Sequence, residues 1–373
     1  MNKTDDKSKP LYLPGLNGIR AIAAVGVMLS HINLALRGMS INNVSLFSSE
    51  DGTPIAWNLG EQGVTMFFAL SGFLITYLLL NERDKIGTIK QKSFYIRRVL
   101  RIWPLYFLYF LLAVLVVYFL SNSLPSVKQT FYYLLLMANV PFIINFAVPG
   151  CHHLWSIAVE EQFYLFWPFF FRKKLPLISI LITLIIIQVV VRLYLWTVAP
   201  FSVLALFSAA NRFDCMMIGG LFAILLYENN GIIRYILNPI TQFLAWGVIL
   251  LHVVNFEIVN SIVSMEFITV ATAIIICGQI SGKRKIINLE YPLFNFIGKY
   301  SYGIYVYHPL LIFIFSYWSV FTIVPGDWAQ LFVAYLVIIA LTITISFLSY
   351  EYLEKRFLRL KGRFSVVHST NSQ

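Results

Sequence analysis

Two ionisable residues stand eleven positions apart inside one apolar run: Arg20 and His31. At roughly 100° and 1.5 Å per residue, eleven helical steps bring a side chain back to within about 20° of its starting direction, about 16 Å along the axis. Imidazole trades protons near neutral pH, and a guanidinium steadies an anion. Taken singly, Arg20 reads equally as an interfacial arginine snorkelling to headgroups and His31 as a packing histidine; sharing one helix face favours a functional role for both. A second cationic pair, Arg98 and Arg101, is spaced i, i+3 within Phe94-Tyr95-Ile96-Arg97-Arg98-Val99-Leu100-Arg101-Ile102-Trp103-Pro104. Both guanidiniums project from one side of a helix, where they could grip phosphate oxygens bidentately.

Two adjacent carboxylates, Glu160 and Glu161, enter an apolar segment at Trp155-Ser156-Ile157-Ala158-Val159-Glu160-Glu161. Neighbours on a helix point about 100° apart, so one can line a site while the other reaches water. Ser71-Gly72 lies in the middle of another apolar run and reads as a close helix contact more than as a nucleophile, because it lacks the strand–turn–helix setting of a catalytic serine. Arg192, Arg212 and Asp214 are further charges in apolar surroundings; Arg212 and Asp214 could form a pair, or either could reach an anionic ligand. His308 sits before Pro309 in a tyrosine-rich stretch and reads as a packing histidine, whereas His152 and His153 read as exposed loop residues. No His/Cys/Asp spacing supports a metal site.

The elements that carry these groups follow from composition. Of 373 residues, 59% are hydrophobic, 16% aromatic and only 12% charged; the mean hydropathy is +0.75. A soluble domain carries roughly 25% charged residues, so this chain cannot cover a water-facing surface. It is an all-α integral membrane protein, and a soluble enzyme, a disordered chain and a disulfide scaffold are excluded together. The three cysteines, Cys151, Cys215 and Cys277, form no motif. The net charge of +11 is read as the basic bias of cytoplasmic loops, not as a nucleic-acid surface.

A crossing takes about 20 apolar residues, and ten segments qualify: 16–36, 63–80, 102–120, 154–171, 175–196, 208–227, 236–256, 262–280, 300–320 and 328–350. The stretch 131–146 is short and interrupted by Asn139, Pro141 and Asn145, so it is expected to lie at the interface or re-enter. This count gives a single bundle with both termini cytoplasmic. It gathers Lys3, Lys7 and Lys9, the arginines and lysines of 83–101, Arg172, Lys173, Lys174, Arg234, 283–285, Lys299 and the basic residues of 355–363 on one side, most of the 28 Lys and Arg. No cleavable signal and no soluble appendage are expected. Residues 1–363 form one transmembrane domain, and 364–373 are expected to be a disordered polar tail.

Five blocks, in order, resemble the membrane-bound acyltransferase-3 family, whose members O-acylate bacterial surface glycans. Arg20 and His31 fall on the family's Arg-x10-His, Phe67-Phe68-Ala69-Leu70-Ser71-Gly72-Phe73-Leu74-Ile75 on its second-span block, and Arg98 and Arg101 on its Arg-x-x-Arg. Leu154-Trp155-Ser156-Ile157-Ala158-Val159-Glu160-Glu161-Gln162-Phe163-Tyr164 and the stretch from Tyr300 to His308 and Pro309 complete the set. Asn17 stands where the family commonly has Asp, and Ile157 where it has Leu. Some members carry an added esterase-like domain, and none is evident here.

The resemblance implies an O-acyltransferase of the bacterial cytoplasmic (inner) membrane, in contact with membrane lipids and not with nucleic acid. It uses acyl-CoA, commonly acetyl-CoA, as cosubstrate without a tightly bound cofactor or metal. The acceptor is a hydroxyl of a surface glycan or lipid-linked saccharide, such as O-antigen of lipopolysaccharide, capsule or exopolysaccharide. His31 would be the base, or the carrier of an acyl-histidine, and Arg20 would orient phosphate or offset developing charge. Glu160, or Glu161, would hold the His31 tautomer or bind acceptor hydroxyls. Arg98 and Arg101 would bind the donor's phosphates, with Ser71, Trp155 and His308 in supporting places. The alternative from another class is a transporter or flippase for a lipid-linked sugar or small anion; its expected signature, paired broken helices in inverted repeats, is not visible in the sequence.

Overall fold

The computed structural model describes residues 11–41, 44–45, 56–172, 175–254, 262–282 and 285–367; of residues 56 and 57 only the backbone is described. The basic residues expected at 3, 7, 9, 173, 174, 283 and 284 lie outside that set, as do residues 368–373 of the expected tail.

Among the described residues the chain folds into fifteen α-helices: α1 Leu16–Ala35, α2 Ala56–Ile86, α3 Gln91–Ser121, α4 Val127–Leu134, α5 Asn139–Ile143, α6 Leu154–Phe166, α7 Leu177–Val198, α8 Val203–Ala210, α9 Phe213–Tyr227, α10 Ile233–Ile236, α11 Pro239–Val253, α12 Ser264–Ser281, α13 Pro292–Trp318, α14 Asp327–Ser349 and α15 Lys355–Gly362. This is the all-α membrane protein the composition demanded, since helices alone satisfy every backbone group inside one segment. Seven helical stretches are long and apolar enough to cross a membrane. Of the other segments expected to cross, α6 has 13 residues and α11 has 15, whereas α13 is long enough at 27 residues but more polar. The stretch 131–146 is broken between α4, opened by a Ser126–Gln129 capping box, and the five-residue α5; neither is long enough to cross.

Three contacts organise the bundle: α2 against α9, α1 against α13, and α1 against α2. The first is set by two glycines. A Cβ on Gly72 would lie 1.9 Å from the Met216 carbonyl oxygen, and one on Gly219 would lie 2.2 Å from that of Ala69. Small residues let the two backbones touch where apolar side chains would gain nothing over lipid. Gly72 is thus the packing residue that the sequence suggested, while Ser71 beside it turns elsewhere. The start of α1 is tied to the loop before α13: Glu290 accepts from the backbone N–H of Gly15 and from the Tyr12 hydroxyl.

The buried charges pair differently from expectation. Asp214 takes Arg192 of α7, which also bonds Glu266 of α12, and Gln188 donates to Asp214 at 3.3 Å. Arg212 instead reaches back to α2, donating to Glu61 at 2.5 Å and Thr65 at 3.0 Å. The chain turns at Asn211–Arg212 between α8 and α9, which sends Arg212 toward α2 and leaves Asp214 inside the first turn of α9. A charge removed from water needs a partner at hydrogen-bonding distance, and these partners come from distant helices.

Candidate active site

Arg20 lies in the second turn of α1, Arg98 and Arg101 in the third helix, Ser71 in the middle of α2, and Glu160 and Tyr164 one turn apart on α6. All six line one cavity of about 850 Å³, counted with its open mouth. Apolar residues of α2 and the tyrosines Tyr302 and Tyr305 of α13 complete its walls.

Arg98 and Arg101 come together as the i, i+3 spacing requires. The Arg98 guanidinium lies 5.0 Å from the Tyr164 ring centre and 5.7 Å from that of Phe94, a cation–π arrangement. Neither Arg98 nor Arg101 has an ion-pair partner among the described residues. Arg20 is buried, 8% exposed, and Nη1 is 3.4 Å from Asn17 Oδ1. Ser71 Oγ and the Tyr164 hydroxyl are 2.5 Å apart, and Tyr164 donates to Glu160 at 3.2 Å. Ser71 therefore lines the cavity within a hydroxyl–carboxylate cluster, bonded to Tyr164 and beside Glu160.

The two carboxylates part as their 100° separation demands. Glu160 faces the cavity. Glu161 turns to α3, where Trp103 Nε1–H donates to it at 2.8 Å, and it does not reach water as the sequence suggested. Trp155 is likewise not at the cavity; it stacks on Phe142 with ring centres 5.2 Å apart.

His31 lies about 16 Å beyond Arg20 along α1, outside the residues that line the cavity. Its partner is His308, not a glutamate. His31 Nδ1 is 2.8 Å from His308 Nε2, and His308 Nδ1 is 2.8 Å from the Ile304 carbonyl oxygen. The proton positions follow from the acceptor at the end of that chain. A carbonyl oxygen only accepts, so His308 carries its proton on Nδ1. Neutral His308 then offers a lone pair at Nε2, His31 must donate from Nδ1, and the lone pair of His31 is left on Nε2. This corrects the expectation that Glu160 or Glu161 orients His31, and it moves His308 from packing residue to orienting partner.

His153 also departs from expectation. It is 3% exposed, not a loop-surface histidine, and packs against His308, Tyr305 and Tyr109 with ring centres 5.9, 5.6 and 5.2 Å away. The Tyr305 hydroxyl bonds Ser156 Oγ at 2.6 Å and donates to the His153 carbonyl oxygen at 3.0 Å. Tyr305 thus forms both a wall of the cavity and a neighbour of His308, their ring centres 6.0 Å apart. The cavity residues missed in sequence are tyrosines, Tyr164, Tyr302 and Tyr305. They sat inside the noticed blocks, but among 21 tyrosines nothing singled them out.

A provisionally named O-acetyltransferase of Staphylococcus aureus (strain COL) is 30% identical to this chain, over 96% of it and 59% of the relative. O-acetyltransferase OatA of S. aureus (strain MRSA252) is 28% identical, over 98% of this chain and 60% of the relative. Peptidoglycan O-acetyltransferase OatA of Listeria monocytogenes is 34% identical over a shorter stretch, 43% of this chain and 24% of the relative. The chain spans about three-fifths of the length of the two staphylococcal relatives. No solved structure matches it. A family model described as an acyltransferase domain matches residues 13–351 and so takes in the cavity, His31 and His308 together; the chain belongs to the acyltransferase-3 family.

Proposed function

We propose that this protein transfers an acetyl group from acetyl-CoA on the cytoplasmic side to a hydroxyl of a surface glycan on the other side. One observation carries the reading: a histidine with its Nε2 lone pair held ready lies beyond a cavity lined by three arginines. The positive-inside bias supports a cytoplasmic position for the arginine-lined end of the bundle, where a CoA thioester is made. The names of the relatives supply the acyl group and the acceptor class, since one of them is named for peptidoglycan.

Arg98 and Arg101 bind the donor's pyrophosphate. Arg20 belongs with them, because about 16 Å of helix separates it from His31; it steadies donor charge and leaves the oxyanion at the transfer point to other groups. The thioester is led inward past Glu160 and Ser71 toward Tyr305. At transfer, the acceptor hydroxyl oxygen attacks the thioester carbonyl carbon while His31 Nε2 takes the hydroxyl proton. The tetrahedral intermediate collapses, the carbon–sulfur bond breaks, and the CoA sulfur leaves as thiolate and receives that proton. The products are the O-acetyl ester and CoA thiol. While His31 is protonated, its Nδ1–H remains bonded to the His308 lone pair, which keeps the imidazolium in place.

The test is surface-glycan acetate released by alkali from cells expressing wild type or His31→Ala, with membrane insertion checked for both. Loss of ester acetate in the variant is expected; wild-type acetylation by inserted His31→Ala protein refutes the assignment.

A further inference from the structure

Beyond the cavity lies a second one that shares Leu74, Arg98 and Arg101 with it, so the two arginines stand at the junction. The far wall of this outer cavity comes from after the last long helix. A π turn, Tyr350–Glu354, links α14 to α15, and Leu358, Lys361, Gly362, Ser365 and Val367 close the space opposite α2 and α3. This strap is fastened across the basic end of the bundle. Arg97 Nη1 donates to the Phe364 carbonyl at 2.8 Å, and Lys85 Nζ donates to that of Val366 at 3.3 Å. Residues 364–367, expected to begin a loose tail, are thus held at the bundle.

Among the described residues the outer cavity is lined by four cations, Arg97, Arg98, Arg101 and Lys361, and by one carboxylate, Glu82. Glu82 is already engaged. It takes Arg97 at 2.7 Å and the backbone N–H of Lys90 at 2.9 Å. Leucines of α2 and the Phe94 ring form an apolar side of the same space. A ligand matched to these walls has a flat apolar part and two separated anionic groups, one at the junction and one under the strap.

We propose that residues 355–367 form the outer wall of a phosphate subsite for the nucleotide end of the acyl donor, with Lys361 as the residue that contacts its ribose 3′-phosphate. The proposal rests on the acyl-CoA reading above and adds a division of the charges. The pyrophosphate sits between Arg98 and Arg101, where a thin arm must pass from one cavity to the next. The 3′-phosphomonoester lies further out beneath α15, and the adenine lies against the apolar side. The remaining arginines of α15 and its end, such as the exposed Arg363, do not line either cavity.

The experiment compares CoA with 3′-dephospho-CoA as ligands of the full-length, detergent-purified protein by titration calorimetry. Wild type, Lys361→Ala, Lys361→Arg and Arg363→Ala are tested, each with its melting temperature recorded. A charge-assisted contact to phosphate is worth about 10-fold to 100-fold in affinity. Wild type should bind CoA at least about 10-fold more tightly than 3′-dephospho-CoA. Lys361→Ala should lose that preference while binding 3′-dephospho-CoA as wild type does, Lys361→Arg should regain part of it, and Arg363→Ala should change nothing. Unchanged CoA affinity in a folded Lys361→Ala protein overturns the subsite, and so does equal weakening for both ligands. If wild type binds neither compound, the donor reading itself fails and the subsite goes with it, a result distinct from failure confined to the variant.

Discussion

Replacing His308 by alanine deletes the acceptor that now sits 2.8 Å from His31 Nδ1. The imidazole of His31 then has no reason to keep its proton on Nδ1, and the tautomer with the lone pair on the wrong nitrogen becomes populated. A neutral hydrogen bond contributes about 1 kcal/mol net, and each 1.36 kcal/mol is tenfold in rate, so loss of the bond alone slows turnover by about fivefold. Loss of ring orientation in a buried site adds to that, up to the whole contribution of a general base, about 10²–10⁴-fold. The expected fall in kcat for His308→Ala is therefore roughly 10- to 100-fold, between the bond alone and the complete loss expected for His31→Ala. The KM for acetyl-CoA should stay within about twofold, because His308 does not line the donor cavity. His308→Gln, whose amide oxygen can accept from Nδ1, should recover part of the rate. The assay is radiolabelled acetyl transfer from acetyl-CoA to glycan isolated from a strain lacking the gene, using purified variants of confirmed melting temperature. The decisive comparison is the double variant. If His308 acts only through His31, then His31→Ala/His308→Ala loses no more than His31→Ala. Losses that multiply, or a His308→Ala enzyme with unchanged kcat, refute the tautomer argument.

Two further outcomes follow from the same geometry. Glu160→Gln removes the only carboxylate among the described residues that line the inner cavity, and acetyl transfer should fall by about 10- to 100-fold, the worth of a charged hydrogen-bonding group; Glu161→Gln keeps an oxygen for Trp103 Nε1–H and should stay within about threefold in the same assay. Gly72→Ala forces a methyl against the Met216 carbonyl and should cost about 1–3 kcal/mol of overpacking, read as a lowered melting temperature in detergent, whereas Gly247→Ala, with open space around it, should melt as wild type does.

What could be read in advance was whatever depends on spacing within one helix. Arg98 and Arg101 project together because three residues make nearly a full turn, and Glu160 and Glu161 diverge because one residue makes about 100°. Which glutamate faces the cavity was not readable, since the rotation of α6 is set by Trp103 on α3 and Tyr164 against Ser71 on α2. The partner of His31 lies 277 residues away, and no pattern local to either histidine announces that meeting. The ion pairs show why nearness in sequence misleads. Arg212 and Asp214 are two apart, yet the chain bends between their helices, and each takes a partner from another part of the bundle, 151 and 22 residues distant. His153 read as a loop residue because it precedes a helix, but the loop itself is folded under Tyr109 and Tyr305.

If the acyl group crosses the bundle as proposed, ions must not cross with it, and Tyr305 stands where the two needs conflict. It walls the inner cavity on one side and packs near His308 on the other. Its hydroxyl is bonded to Ser156 and to the His153 carbonyl, which holds the ring between the inner cavity and the histidine pair. The Tyr305 carbonyl would ordinarily accept the backbone N–H of residue 309, and Pro309 has none to give. A proline removes a rung of the ladder where a helix bends, and here it removes the rung above Tyr305. The His-Pro pair thus presents the imidazole bonded to His31 from the same turn of α13 that carries Tyr305.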